Sequence, residues 1–353
     1  MYPKLIINLK KYKENVDYIH SLCNQHGITV MAVTKVFCAD NELVNILNHS
    51  KIEYIADSRI ENLRRIRSTK PKVLLRIPSL HEIEEVVNLS DISLNSEIVT
   101  IRHLNEVAKK LEKTHSIILM IDIGDLREGL FYKENIHSFI EQIMELSHIN
   151  LKGIGTNLSC FGGIIPEDHT LKKLVQVVET IKEKFNINPE IVSGGNSSHL
   201  HLLLNNEKIP YVNNLRLGES LILGRETAYG ENIEHTFQDV IILEADLIEV
   251  KLKPSIPEGT IGMNAFGKIP TFDDLGLMKR GILALGKQDV DFHELIPVDQ
   301  KVRLIGSSSD HIIVDLTHTD YDYKVGDILK FELTYGSLLG LMTSKYVKKD
   351  YIK

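Results

Sequence analysis

Three cationic side chains of this chain stand within or directly after short apolar runs. Lys35 ends the run MAVTK, Arg127 lies in IDIGDLREGL, and Arg216 lies in NLRLGES. A lysine that follows a buried strand is partly removed from water, loses its proton more easily and becomes a nucleophile toward carbonyl groups. Taken alone, Lys35 is more typical of a solvated surface charge, and Arg127 is as typical of an ordinary loop arginine in a salt bridge as of a functional group. Their chemistry therefore depends on whether the fold brings them together.

Two further segments have the composition of an anion-binding turn. The stretch 193–198 reads SGGNSS and precedes the helical segment HLHLLLNN, so its backbone N–H groups and hydroxyls would point at an anion. Gly218 and Glu219 follow Arg216 at the place where barrel folds often bind phosphate. A Gly-Gly-Asn-Ser stretch is also a common turn, so by itself it is a weak indication.

The elements that would position these residues repeat one unit: a short apolar run, a turn and an amphipathic helix. The apolar runs lie at 28–35, 53–58, 72–78, 91–96, 116–124, 151–158, 190–195 and 213–218. The helical stretches include 39–49, 96–113, 136–148 and 171–185. Eight alternations over about 200 residues predict a (β/α)8 barrel, in which polar residues at the carboxyl ends of the strands surround one mouth. A doubly wound open sheet is the alternative, but it rarely supplies eight parallel strands.

The spacing of apolar residues changes from a helical to a strand-like pattern after about residue 230. Short strand-like runs, separated by Pro, Gly and Asp turns, lie at 239–253, 281–287, 300–306, 311–317, 327–333 and 341–347. We therefore expect two domains, a barrel at 1–228 and a β-rich domain at 229–353. The opening segment 5–19, interpreted as a strand, would belong to either one.

Composition excludes several classes of protein. The 353 residues are 43% hydrophobic and 25% charged, which is typical of a globular chain and excludes disordered, collagen-like and disulfide-scaffold classes. The formal charge of −7 argues against nucleic-acid binding. Three cysteines without a CxxC pair, and no apolar stretch long enough to span a bilayer, favour a cytoplasmic protein. One of them, Cys160, follows the sixth run, where a small packing residue is the simplest interpretation.

A lysine, two arginines and a phosphate site around one mouth are what pyridoxal 5'-phosphate requires. Over nearly its whole length the sequence resembles the alanine-racemase-like, fold-type III family of pyridoxal-phosphate enzymes, and within it the ornithine racemase group. The resemblance makes Lys35 the Schiff-base lysine and Arg127 the arginine near the cofactor phenolate and the substrate carboxylate. It makes Asn196 and Ser197 the pair whose serine holds the phosphate, and Arg216 the partner of the pyridine nitrogen.

The resemblance also covers residues at the phosphate and in the second domain, with two departures in the barrel. Gly218 and Glu219 match the backbone phosphate contacts, and Asp310 in SSSDHIIVDLT matches an aspartate of the second domain. The usual tyrosine four residues past the lysine is Ala39, and the usual histidine behind the ring is Asn157. One phosphate contact must therefore come from elsewhere.

The catalytic tyrosine that reaches in from the partner subunit in alanine racemases has no clear equivalent. Its stretch reads PEGTIGMNAFGKIP, with Asn264 near the expected position, and Lys287 and Asp289 occupy the polar positions of LGKQDVDFHE. We expect the β-rich domain of a second copy to complete the site in a homodimer. Asp289 is then a candidate acid/base, while Asn264, Lys287 and Asp310 are candidates for substrate binding.

The resemblance implies an amino-acid racemase that interconverts L- and D-ornithine by taking and returning the α proton. Racemisation of lysine, alanine or serine, a pyridoxal-phosphate-dependent lyase or decarboxylase, and a non-catalytic cofactor carrier stay open as alternatives. The roughly 120 residues of β-rich domain argue against the carrier, because such carriers consist of the barrel alone. No metal site is expected, since His318 and Asp320 lack further ligands nearby.

Overall fold

The computed structural model describes residues 1–207, 209 and 211–353. It divides into two units, which we describe separately. One comprises Met1–Lys10 with Asp239–Lys353, and the other is Lys11–Gln238. The division falls at Gln238 rather than at residue 228, and the first strand, β1 (Lys4–Asn8), lies with the carboxyl-terminal residues.

Within the described residues, the unit Lys11–Gln238 is a closed barrel of eight parallel strands. Its strands are β2 (Thr29–Val33), β3 (Tyr54–Asp57), β4 (Lys72–Leu74), β5 (Ile92–Asn95), β6 (His115–Asp122), β8 (Ile149–Gly155), β9 (Ile191–Ser193) and β10 (Asn214–Leu217), with the short β7 (Leu130–Phe131) beside β6. Each strand pairs with the next, and β10 pairs with β2, which closes the ring. All eight expected strands are present, so the predicted barrel is confirmed.

In the described part of the chain, one α-helix precedes the first barrel strand, and one α-helix follows each of the eight barrel strands, as the repeated strand–helix unit predicts. They are α1 (Leu9–Gln25), α2 (Asn41–His49), α3 (Ile60–Arg65), α4 (Ile83–Leu89), α5 (Ile98–Lys110), α6 (Ile136–Met144), α7 (Asp168–Phe185), α8 (Leu200–Leu204) and α9 (Glu219–Leu223). The expected opening strand 5–19 is wrong beyond Asn8. There the spacing of Tyr12, Val16, Ile19 and Cys23 buries one face of α1.

The interior of the barrel is filled with apolar side chains. Its cluster includes Met31, Ala56, Val73, Leu94 and Ile118, each no more than 1% exposed. A packed interior leaves no channel, so a ligand has access to the polar groups only at the ends of the strands.

The second unit is built on antiparallel strands. They are β11 (Ile241–Pro254), β12 (Leu277–Leu283), β13 (Leu295–Pro297), β14 (Arg303–Ser307), β15 (Ile312–Asp315), β16 (Ile328–Leu333) and β17 (Lys348–Ile352). The order is β13-β16-β11-β12-β15-β14, and β1 joins this sheet by pairing antiparallel with β11 and parallel with β17. The β-rich second domain is therefore confirmed.

One helix of the second unit was not predicted, and the expected strand at 341–347 is wrong. Residues Tyr335–Thr343 form α10, which Thr334 caps by accepting a hydrogen bond from Ser337 N. Leu338, Leu341 and Met342 are buried at the spacing i, i+3 and i+4. No helix in the described ranges has the length and apolar character needed to cross a bilayer.

Candidate active site

The candidate nucleophile Lys35 is placed at the carboxyl end of β2, where it begins a single turn of 3-10 helix. The preceding residue, Thr34, is fully buried. Its hydroxyl donates to Asp57 Oδ2 at 2.6 Å, and its backbone N–H donates to Ala56 O at 2.8 Å. These two bonds attach Thr34, the residue before Lys35, to the end of the neighbouring strand β3.

Asp57, at the end of β3, supplies the carboxylate that accepts the hydrogen bond from Thr34. Its carboxylate is fully buried and also accepts hydrogen bonds from Arg59 N at 2.8 Å and Asn62 Nδ2 at 3.0 Å. Burial raises the pKa of Asp57, while the hydrogen bonds from Thr34, Arg59 and Asn62 and the nearby Lys35 ammonium oppose that rise. The carboxylate thus lies within electrostatic reach of the candidate nucleophile.

Arg216, in β10, is the most deeply placed cation of the site, with 5% of its surface exposed. Nη1 donates to Ser193 Oγ at 2.5 Å, and Nη2 donates to Thr156 O at 2.6 Å. Burial, with a smaller contribution from the nearby Arg127, lowers the pKa of Arg216 to about 10, and Glu128 limits the decrease. The guanidinium therefore remains charged at neutral pH.

Arg127 lies in the loop after β6, which is bent by hydrogen bonds to one carboxylate. Asp122 Oδ1 accepts from Gly124 N at 2.8 Å and from Leu126 N at 3.2 Å. The Arg127 guanidinium is paired with Glu128. Burial is the largest single influence and lowers the pKa of Arg127, but the hydrogen bond to Glu128 and the electrostatic effects of Cys160, Glu128 and Asp125 together outweigh it, so the pKa is raised. Arg127 is close enough to Arg216 to help lower the pKa of Arg216, which indicates that both lie at one end of the barrel.

The expected anion-binding turns after β9 and β10 lie side by side. Ser197 Oγ donates to Ser220 Oγ at 3.0 Å and accepts from Ser220 N at 3.3 Å. A Cβ added at Gly218 would lie 3.1 Å from Val33 Cβ and 3.2 Å from Val33 O, so glycine lets this turn approach the end of β2. We call the set Ser197, Gly218 and Ser220 the hydroxyl cradle.

Glu219 begins α9 directly after the cradle. It is half-buried, and burial raises the pKa of its carboxyl, while Arg225 and the more distant Lys35 oppose the rise. Lys35 thus has two carboxylates in electrostatic reach, Asp57 and Glu219, one from each neighbouring strand.

Asn157 and Asn196 connect the loops that follow β8 and β9. Asn157 Oδ1 accepts from Arg216 Nη2 and from Asn196 Nδ2, each at 3.4 Å. Asn196 Nδ2 also donates to Leu158 O at 2.7 Å, and Asn196 Oδ1 accepts from Ser198 N at 2.8 Å. Within the described part of the chain, Asn157 Nδ2 and Ser198 Oγ are buried without a hydrogen-bond partner. Such unmatched donors fit a site that holds a polar ligand.

Three of the residues expected to bind substrate lie around one group of turns in the second unit. Lys287 Nζ stands 4.3 Å from the centroid of the Phe266 ring, and Asn264 Oδ1 accepts from Phe266 N at 2.9 Å. The backbone N–H of Lys287 donates to Ser308 O at 2.9 Å, which places it beside the turn that carries the exposed Asp310.

Asp289 is placed differently from its three companions. It is 8% exposed, its Oδ1 accepts from Ser344 Oγ at 2.7 Å, and its Oδ2 accepts from Gly286 N at 3.4 Å. The carboxylate therefore joins the 286–289 turn to the end of α10. An acid/base must be accessible to the substrate. The carboxylate of Asp289 is instead buried and hydrogen-bonded within its own unit.

Asp125 is a residue of the site that sequence reasoning missed. It is 1% exposed and accepts from Phe161 N and Gly162 N, both at 3.1 Å, so it fixes the loop after β8 to the loop that carries Arg127. Its only signal in the sequence is a second aspartate within IDIGDLREGL.

Among the residues that the structure describes, no group of three or more His, Cys, Asp or Glu side chains is arranged to hold a metal ion.

These features define a class: a closed parallel barrel with an amine, two guanidinium groups and a hydroxyl cradle at the carboxyl ends of its strands, followed by an antiparallel sheet unit. Residues 7–226 match the family described as alanine racemase, N-terminal domain. The match covers more than half of the chain, and the protein belongs to this family. The resemblance that the sequence motifs indicate is thereby confirmed.

Three known proteins are similar to this chain over its full length or nearly so. The ornithine racemase of Acetoanaerobium sticklandii is 46% identical over 353 residues, covering 100% of both chains. The lysine racemase of Thermotoga maritima is 39% identical over 354 residues, covering 99% of each. The alanine racemase of Bartonella henselae, a structure with covalently bound pyridoxal phosphate, is 18% identical, covers 100% of both chains and has a TM-score of 0.74. At that identity the structural likeness shows the fold.

Proposed function

We propose that this protein is a pyridoxal-phosphate-dependent amino-acid racemase and that its substrate is ornithine. The observation that carries the proposal is the convergence of Lys35, Arg216 and the hydroxyl cradle at one end of the barrel. The relatives from A. sticklandii and T. maritima support the reaction, because both are racemases of amino acids with a second, terminal amine.

The residues present fit the cofactor group by group. Lys35 supplies an amine for its aldehyde, and the hydroxyl cradle with the backbone of Glu219 supplies donors for its phosphate. Arg216 would face the ring nitrogen. Asn157, whose Nδ2 is buried without a partner among the described residues, would lie behind the ring, with Asn196 holding its carboxamide in place.

When bound, the cofactor withdraws electrons from the α carbon of an amino acid and makes its α hydrogen acidic. Lys35 then takes or returns the proton on one face of that carbon. Arg127 binds the substrate carboxylate, since a guanidinium can donate two parallel hydrogen bonds. Arg216 is a cation at neutral pH and would disfavour protonation of a ring nitrogen held beside it. The weaker electron withdrawal favours brief loss of the proton over decarboxylation.

We propose further that the protein acts in the cytoplasm as a homodimer, in which the second unit of one copy completes the site of the other. Apolar side chains exposed between β11 and β12 support a covered surface; they include Ile261, Met263, Ile269 and Leu275. Asp310 would bind the terminal ammonium of the substrate beside Asn264 and Lys287, where an opposite charge rejects uncharged side chains. Asp289 would hold the turn that presents Lys287.

The homodimer is tested by subunit exchange. We expect light scattering to give twice the mass of one chain, and Lys35→Ala and Asp310→Ala subunits, each inactive alone, to recover up to about one quarter of the sites on mixing, since half of the dimers are mixed and each has one intact site. A monomeric mass, or no recovery after verified exchange, would contradict the shared site.

The cofactor assignment is tested by Lys35→Ala. We expect the variant to lose both the visible absorbance of the bound cofactor and all racemisation, because it lacks the amine that would bind the cofactor aldehyde and carry the α proton. Lys70→Ala is the matched control: Lys70 is half-buried and donates to Ser50 O at the amino end of β3. A Lys35→Ala protein that keeps the absorbance and the activity would overturn the proposal.

A further inference from the structure

Racemisation moves a proton between two faces of one carbon, so a second acid/base must stand opposite Lys35. Several carboxylates at this end of the barrel are already engaged. Asp57 and Asp125 are buried and accept several hydrogen bonds, and Glu128 is paired with Arg127. These three carboxylates are therefore poorly placed to exchange a proton with a substrate, and Glu219 follows β10, the strand next to the one that Lys35 follows.

The thiol of Cys160 lies among the groups of the candidate site. It is exposed, and its Sγ accepts a hydrogen bond from Asn196 Nδ2 at 3.2 Å. Its electrostatic effect reaches both guanidinium groups, since it helps to raise the pKa of Arg127 and partly offsets the lowering of the pKa of Arg216. Cys160 thus shares the mouth of the barrel with both arginines.

The loop that carries Cys160 is held in one conformation. Asp125 accepts from Phe161 N and Gly162 N, and Ser159 Oγ donates to Ile164 O at 2.7 Å. Ser159 has φ of 63°, in the left-handed region that non-glycine residues seldom adopt. Strain of this kind persists only where the surroundings impose it, and it clusters at functional sites.

The order of the strands places Lys35 and Cys160 on opposite sides of the hydroxyl cradle. The cradle follows β9 and β10; Lys35 follows β2, which pairs with β10, and Cys160 follows β8, which pairs with β9. A group anchored in the cradle would therefore lie between the loop that carries the amine and the loop that carries the thiol.

A second observation points to a ligand beside the thiol. Asn157 is 7% exposed, and its Nδ2 has no hydrogen-bond partner in the described part of the chain. Its carboxamide accepts from the same Asn196 amide that donates to Cys160. An unmatched donor and two guanidinium groups next to Cys160 are suited to an anionic group such as an amino-acid carboxylate.

We propose that Cys160 is the acid/base on the face opposite Lys35, an inference that rests on the proposed racemase function. The thiolate takes the α hydrogen of one enantiomer as a proton: the C–H bond breaks, an S–H bond forms, and the electron pair remains with carbon. The Lys35 ammonium then delivers a proton to the other face. In the reverse direction the two residues exchange roles, and no oxidant or reductant is consumed.

The test compares racemisation with exchange of the α hydrogen in D2O, using Cys160→Ala and Cys160→Ser. We expect racemisation to fall by about 100-fold or more, with cofactor absorbance retained. Lys35 should still exchange the α hydrogen of one enantiomer with solvent. If Cys160 had only a structural role, its loss would instead slow the exchange of both enantiomers alike. Cys38→Ala, at the half-buried cysteine after the Lys35 turn, is the control and should keep both activities.

A readout independent of turnover is alkylation by iodoacetamide followed by mass spectrometry. Cys160 should react before the buried Cys23, and excess ornithine should protect it. Near wild-type racemisation by Cys160→Ala, or equal loss of exchange for both enantiomers, would overturn the role of Cys160 and leave the racemase assignment standing. A wild-type protein that neither racemises nor exchanges ornithine would refute the proposed function and this inference together.

Discussion

The buried imidazole of His199 should make the stability of this protein depend on pH in a specific way. His199 has 0% of its surface exposed, and neither ring nitrogen has a hydrogen-bond partner within the described ranges. Burial lowers the pKa of His199 to about 3, and the nearby Arg216 contributes to the shift. The imidazole is therefore neutral in the folded protein down to acidic pH.

The sign and size of the effect follow from linkage. Below a pKa of about 6.5 the unfolded chain binds a proton at His199 that the folded chain does not, so the free energy of unfolding falls as the pH falls. A folded-state pKa of about 3 then implies a loss of about 2 kcal/mol between about pH 8 and about pH 5. His199→Leu removes the titrating group and should remove this part of the loss.

The assay is urea denaturation at both pH values, with the free energy of unfolding taken from linear extrapolation. His115 is also buried with a lowered pKa, but its contribution is common to the wild type and the variant and cancels in the comparison. His318→Leu, at an exposed histidine, is the matched control and should lose as much free energy as the wild type. If His199→Leu also loses as much as the wild type, the imidazole is not buried and neutral as described.

Two further predictions concern the site itself. Gly218→Ala should weaken cofactor binding with little change in folding, because its Cβ would stand 3.1 Å from Val33 Cβ; Gly262→Ala, where nothing lies within 4 Å, is the control in a cofactor titration. Arg216→Met should lower the free energy of unfolding of the cofactor-free protein by about 2–4 kcal/mol, because Ser193 Oγ and Thr156 O lose a charged donor. Unchanged cofactor affinity in the first variant, or unchanged stability in the second, would contradict these contacts.

The barrel was predictable from the sequence because parallel strands buried on both faces leave continuous apolar runs. The runs that end at Lys35 and contain Arg216 correspond to β2 and β10, and the helices between the strands carry a 3.6-residue period. The opening segment was misinterpreted because its first residues do form β1. After Asn8 the alternate burial of Leu5 and Ile7 gives way to the spacing of three and four residues that forms the buried face of α1.

The finer features of the site depend on contacts between distant parts of the chain, which a local pattern does not contain. Asp125 accepts hydrogen bonds from a loop more than thirty residues further on, and Asp289 is bonded to Ser344, 55 residues away. The family resemblance made Asp289 a candidate acid/base, and the sequence around it does not indicate that its carboxylate is buried. The burial of the Asp289 carboxylate becomes visible only when the position of α10 is known. The sequence did not predict α10, because this helix occupies a short apolar segment between strands.

The most direct test of the central claim is to follow the optical rotation of L-ornithine, and separately of D-ornithine, with the cofactor-loaded protein. We expect both rotations to decay to zero, the two enantiomers to reach equal amounts, and neither CO2 nor an aldehyde to be released. Rotation that persists, or that decays only as CO2 or an aldehyde appears, would contradict the claim.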